Sequence, residues 1–173
     1  YSRKLAEEMA ASGKYHLLNQ FGNDDNWRAH YQTTGPEIWR DTEGQLTHFV
    51  SSMGTTGTIT GTGRFLKSQS AEVQIVGVQP TDGSRIPGIR RWSPEMVPTI
   101  FDASVVDRTI DVSTQEAAKM ARRMASELGL FAGMSSGGAA AAALKLAESL
   151  DSGLVVSIVC DRGDRYLSSE LYS

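Results

Sequence analysis

The sequence predicts an α/β fold: an open, mostly parallel twisted sheet with helices on both faces. Apolar runs of strand length alternate along the chain with stretches whose apolar residues recur at three and four. The last run, Leu154–Cys160, is apolar at every position but Ser157, the pattern of a strand covered on both faces. With 173 residues and 40% hydrophobic side chains, one sizeable core is within reach. A chain of this size buries about 70% of the surface it exposes when unfolded.

The chain begins at Tyr1 in what reads as a helix, with Ser2 as N-cap and Gly13 as its stop. Leu5, Met9 and Ala10 form its apolar stripe, which needs a partner surface. This beginning reads as a piece of something longer. A first strand is expected at His16–Gln20, followed by short helices at Asn26–Gln32 and Pro36–Asp41, with Thr34 or Gly35 near the second cap. Further strands are expected at Leu46–Ser51, Val73–Val78, Val106–Val112 and Leu154–Cys160. Between them, Thr58–Ser68 reads as a helix of weak propensity. Ser113-Thr114-Gln115-Glu116 is a capping box, and Ala117, Met120, Ala121, Met124 and Leu128 continue the helix to Gly129. Ser136–Leu150 is the last helix, and its Ala139–Ala143 run lets a neighbouring backbone come close. From Pro80 to Ser104 there is no periodicity, and a loop this long suggests an active-site segment.

Composition narrows the function classes. Seventeen Lys and Arg against twenty Asp and Glu give a formal charge of −3, and the arginines are dispersed, so no stripe faces a nucleic acid. No eighteen-residue apolar run or leader pattern points to a membrane or to secretion. A lone Cys160 and three scattered His offer neither a disulfide framework nor a zinc spacing, so no metal is expected and a reducing cytoplasm fits.

In open α/β sheets, ligands bind beyond the carboxyl ends of strands. Gly54-Thr55-Thr56-Gly57-Thr58 follows one run and precedes a helix, where backbone N–H groups and the helix dipole can hold a phosphate without a cation. Its plain alternative is a glycine turn with threonine caps, and the position favours the anion. The string matches neither G-x-x-x-x-G-K-[ST] nor G-x-G-x-x-G. Ser135-Ser136 reads first as a helix cap, Cys160 as a small core residue, and Asp161, Arg162, Asp164 and Arg165 as a solvated charge cluster. Arg90 and Arg91 sit in the long loop, either simply exposed or part of a lid over an anionic substrate.

Six strings together resemble the O-acetylserine sulfhydrylases, or cysteine synthases, of the fold type II pyridoxal phosphate enzymes. They are Asn19-Gln20-Phe21, Thr33–Trp39, Ser51–Thr58, Ile86–Trp92, Ala132–Gly138 and Cys160–Leu167, in family order. The Arg90-Arg91-Trp92 string and Cys160–Leu167 resemble the B-type isozyme. The resemblance implies that Gly54, Thr55, Thr56, Gly57 and Thr58 bind the phosphate of pyridoxal 5'-phosphate and that Ser135 faces its ring nitrogen. It implies that Gln20 and Gly88 line the substrate site, with Arg90, Cys160 and Asp161 as polar positions facing the sulfur donor. It also implies a small amino-acid substrate, a homodimer, and β-replacement on an O-activated L-serine.

The family's Schiff-base lysine lies in a Ser-x-Lys-Asp/Asn-Arg setting that this chain lacks. Lys4, Lys14, Lys67, Lys119 and Lys145 all stand elsewhere. The chain therefore reads as a single C-terminal lobe, residues 1–173, of a longer enzyme, with no catalytic residue of its own. A cystathionine β-synthase-like enzyme and a non-catalytic phosphate-binding module stay open as alternatives.

Overall fold

The computed structural model describes residues 2–172, and residues 4–172 with their side chains. The Ser2 hydroxyl expected to cap the first helix lies outside those side chains. Four parallel strands, β1 (His48–Ser52), β2 (Gln74–Pro80), β3 (Arg108–Val112) and β4 (Val155–Ser157), form one sheet in the order β3-β2-β1-β4. The helices are α1 (Ser2–Ala11), α2 (Asp25–Gln32), α3 (Thr34–Asp41), α4 (Gly57–Gln69), α5 (Thr114–Leu128) and α6 (Met134–Ala147).

Successive strand residues point to opposite faces, and two cores follow from that alternation. On one face Val50, Val76, Val78 and Val112 pack with Ala117, Ala121, Ala142 and Leu146 of α5 and α6. On the other, Phe49 and Ile75 pack with Ile59 and Leu66 of α4. Phe49, Ile59 and Ile75 are fully buried, each contributing about 1.5–3 kcal/mol of hydrophobic stabilisation. The expected two-faced sheet is present. Among the described residues no helix is long and apolar enough to cross a membrane.

Three expectations need correction. His16–Gln20 forms no strand: Leu17 and Leu18 are exposed, Asn19 adopts a φ of 45°, and neither sheet edge receives the segment. Leu154–Cys160 is a strand only over Val155–Ser157 and is half-buried, because β4 is the edge strand with β1 as its sole partner. Leu154 and Val159 are exposed beside it. The third concerns α6, which begins at Met134, so Ser135 and Ser136 lie inside the helix and do not cap it.

Helix α5 forms as its local chemistry dictates. The Ser113 hydroxyl accepts from the Glu116 amide at 3.2 Å, the Glu116 carboxylate accepts from the Ser113 amide at 2.7 Å, and Gly129 closes the helix at a φ of 68°. It packs tightly against α6 at Gly137, where a Cβ would run into the Ala117 carbonyl. The close approach thus begins before the alanine run.

The segment from Pro80 to Ser104 carries only two single 3₁₀ turns, Pro94–Met96 and Ala103–Val105. It is nevertheless tied down: the Arg90 amide donates to the Met53 carbonyl at 2.8 Å and the Trp92 indole to the Gly54 carbonyl at 3.0 Å.

Candidate functional site

At the carboxyl ends of β1 and β4, a cavity of about 180 Å³ opens between the starts of α4 and α6. It is lined by Ser51, Ser52, Gly54, Thr55, Thr56, Thr58, Gly88, Ser135, Ile158 and Cys160, none of them charged. Larger grooves of about 510 Å³ past Phe131 and Arg162, about 300 Å³ beside Arg122 and Tyr166, and about 620 Å³ beside Arg85, Arg90 and Arg91 all carry charged side chains. The cavity of about 180 Å³ instead joins a helix start, backbone walls and several hydroxyls without a charged side chain, the combination that recognises an anion without a cation.

Its walls are backbone in two places. A Cβ on Gly54 would come within 2.5 Å of the Gly88 carbonyl oxygen, and a Cβ on Gly88 within 3.0 Å of the Ser135 side chain. Gly88 has a φ of 87°, which glycine takes without strain. The long loop is therefore layered between the Gly54 turn and the start of α6. Ser52 donates to the Ser135 carbonyl at 2.9 Å and joins the end of β1 to the same helix.

The turn into α4 is not capped in the ordinary way. Thr56 precedes the helix in the left-handed region, at a φ of 71°, and its side chain caps nothing. Its hydroxyl donates to the Thr55 carbonyl. The Gly57 amide instead donates to the Thr55 hydroxyl oxygen at 3.3 Å. Thr58 meets His30, whose Nε2 lies 3.1 Å from the Thr58 hydroxyl and whose Nδ1 lies 2.9 Å from that of Thr34. Burial pushes the His30 imidazole below its ordinary range, so at neutral pH one ring nitrogen donates and the other accepts.

Asp161 caps α6 from outside the helix. Its carboxylate accepts from the amides of Ser135 at 3.1 Å and Ser136 at 2.9 Å, and from the hydroxyls of Ser136 and Tyr166, both at 2.6 Å. Burial pushes this carboxyl up, but the bonds from Ser136, Tyr166 and the amides outweigh that and hold it below the usual range. Burial and the same contact raise the Tyr166 phenol to about 12. The Asp161 carboxylate thus occupies the anion position of α6, leaving the start of α4 as the free one.

Of the residues singled out in the sequence, Gly54, Thr55, Thr56, Thr58, Gly88, Ser135 and Cys160 line the cavity, and Gly57 sits within the same turn. Gln20, Arg90 and Asp161 do not line it. The Gln20 carbonyl is bound by Asn26, and the Arg90 guanidinium donates to the Ile89 carbonyl at 3.0 Å and faces the arginine groove. Asp161 is no part of a solvated cluster, whereas Arg162 and Asp164 do pair, at 3.0 Å and exposed. Cys160 is exposed at the rim rather than in the core. Burial of its sulfur pushes the thiol pKa up, so it stays protonated at neutral pH and is no thiolate nucleophile. Sequence reasoning gave no role to Asn26, His30 or Ile158, and held Ser52 only as part of the Ser51–Thr58 string. The one signal for the first two was their place on the short helix after Asn19-Gln20-Phe21.

Comparison with known proteins places the chain in a family. Residues 2–161 match the family model described as pyridoxal-phosphate dependent enzyme. Cysteine synthase B of Pseudomonas aeruginosa is 57% identical over 171 residues, covering 99% of this chain and 57% of that protein. Among solved structures, an O-ureido-L-serine synthase superposes with a TM-score of 0.90 at 36% identity, covering 98% of this chain and 57% of the other. The O-acetyl serine sulfhydrylase isoform 3 of Entamoeba histolytica gives 0.87 at 38% identity, covering 98% and 53%. The chain spans a little over half the length of the relatives it matches. With a parallel sheet, an uncharged cavity at its carboxyl edge and a family match over residues 2–161, the chain belongs to the pyridoxal-phosphate-dependent enzymes.

Proposed function

We propose that this chain is the cofactor-phosphate lobe of a cytoplasmic cysteine synthase, which replaces the activated oxygen substituent of an L-serine ester with sulfur to give L-cysteine. The ester is O-acetylserine or O-phosphoserine, the sulfur donor is sulfide or a related nucleophile, and the enzyme is a homodimer. The observation that carries this reading is the uncharged cavity at the start of α4, walled by the Gly54–Thr58 turn and Ser135. Its donors suit pyridoxal 5'-phosphate: backbone amides and threonine hydroxyls for the phosphate, and a neutral hydroxyl for the ring nitrogen.

When bound, pyridoxal phosphate supplies the electron sink for negative charge at the substrate α-carbon. The chain's own groups hold and orient it. The start of α4 offers partial positive charge to the phosphate. The Ser135 hydroxyl, which lines the cavity, would face the ring nitrogen without a formal charge, so it would not enforce protonation there and would suit elimination of the β-substituent. Asp161 fixes that hydroxyl's helix by holding the Ser135 and Ser136 amides. Gly88 brings main chain rather than a side chain to the substrate side. Cys160, protonated, stands at the rim with its S–H donated to the Ile158 carbonyl at 3.4 Å.

None of the five lysines lines the cavity. Lys67 pairs with Asp107 at 2.9 Å and Lys145 with Glu116 at 2.7 Å, both away from it. At about 180 Å³ the cavity is also smaller than the ~300–1,000 Å³ of an enclosing ligand site, which fits a wall completed by further polypeptide.

The test is to give the 173-residue chain pyridoxal phosphate, reduce with borohydride and map the peptides. The expected outcome is no stoichiometric adduct at any one lysine and no cysteine from O-acetylserine and sulfide. Joining the chain to the remaining portion of a cysteine synthase B should restore both. A stoichiometric adduct with turnover from the chain alone would place the catalytic lysine among the five and overturn the reading.

A further inference from the structure

We propose that Asn26 is a positioning residue for the phosphate turn, acting through the direction in which the Thr55 hydroxyl points. The inference rests on the phosphate reading above. Asn26 stands at the start of α2, and its side-chain amide nitrogen donates to the Gln20 carbonyl at 2.7 Å. A carbonyl only accepts, so this bond fixes which end of the carboxamide faces the turn. The same nitrogen's second proton reaches the Thr55 hydroxyl oxygen at 3.2 Å. The Gly57 amide donates to that oxygen as well, at 3.3 Å.

A hydroxyl has two acceptor positions and one proton. At Thr55 both acceptor positions meet N–H donors, and among the described residues its proton is donated to no protein group. Thr55 lines the cavity. The hydroxyl is thereby held as a donor toward the space an anion would fill, instead of rotating to accept from it. Asn26 also explains why position 57 is glycine: a Cβ there would collide with the Asn26 side-chain oxygen. The carboxamide lies against the turn and joins it to the Gln20 segment, so the two strings singled out separately in the sequence share one hinge point.

The experiment is a double-mutant cycle in the 173-residue chain, titrating inorganic phosphate and reading affinity by calorimetry. Asn26→Ala and Thr55→Val should each weaken phosphate binding by about threefold to tenfold, the size of one neutral hydrogen bond. The double variant should bind no more than about twofold worse than either single one, because both act on one proton. Asn26→Ser, which suits a helix start but lacks the amide donor, should show the same loss and serves if Asn26→Ala unfolds. Losses that multiply in the double variant, or Asn26 variants that bind like the wild type, would overturn the proposal and leave the phosphate reading standing. A wild-type chain that takes up no phosphate would overturn the phosphate reading, and this proposal with it.

Discussion

Thr62 carries a buried hydroxyl that meets no hydrogen-bond partner among the described residues. It lies one turn beyond Thr58 on α4, where Thr58 meets His30 and Thr60 accepts from the Asp102 amide at 3.2 Å. A buried polar group without a partner costs about 1–3 kcal/mol. Thr62→Val keeps the shape and removes the oxygen, so urea unfolding should show a gain of about 1 kcal/mol. No gain would mean that the hydroxyl is satisfied. Single residues of the candidate site were legible where the chemistry is local: the glycine turn and hydroxyls before α4 do gather at one cavity. Asp161 was not, because its partners Ser135 and Ser136 lie far earlier in the chain and only the fold brings them together. Arg90 was read from its string, and string likeness does not say where a guanidinium points.

Among elements, α5 was read to the residue because its ends are fixed by its own sequence, a capping box at one and a glycine at the other. The cap also gives a pH signature. The bond to Lys145, then those to the Ser113 amide and hydroxyl, pull the Glu116 carboxyl from 4.5 to about 2. A carboxyl lowered in the folded state stabilises fully above its unfolded value, near pH 4.5, and loses that contribution as pH falls through about 2. Both partners of the pair are partly exposed, so water screens much of the gain. Glu116→Gln should therefore cost only ~1 kcal/mol at pH 7 and flatten the decline of stability between pH 4.5 and 2, read from unfolding curves. An unchanged slope would remove Glu116 as its source. Strands fared worse than helices. His16–Gln20 and Leu154–Cys160 have strand-like composition, but strand formation depends on a neighbour's ladder and on what covers the face. The first run has no ladder here, and the second has one on a single side.

On the scale of the whole molecule, the sheet order brings the ends of β1 and β4 side by side and sets the starts of α4 and α6 across one small cavity. Fold class followed from the alternation of runs and helices, and the candidate cavity lies beyond the carboxyl ends of the strands, where such sheets bind ligands. An incoming anion can meet the uncharged turn at the start of α4 or a groove lined by arginines, such as the open one beside Arg85, Arg90 and Arg91. Formal charge alone would favour the groove. Under the proposed function the turn prevails, because its amides and hydroxyls are already aimed and the arginines are solvated, Arg91 being paired with Asp82 and Asp111 besides. The most direct measurement is amide chemical-shift mapping of the labelled 173-residue chain as pyridoxal phosphate is added. The largest shifts are expected at Gly54–Thr58 and Ser135, with those of the turn persisting when inorganic phosphate replaces the cofactor and that of Ser135 falling away. Shifts confined to Arg85, Arg90 and Arg91, with the turn unmoved, would contradict the assignment of the anion site to the turn.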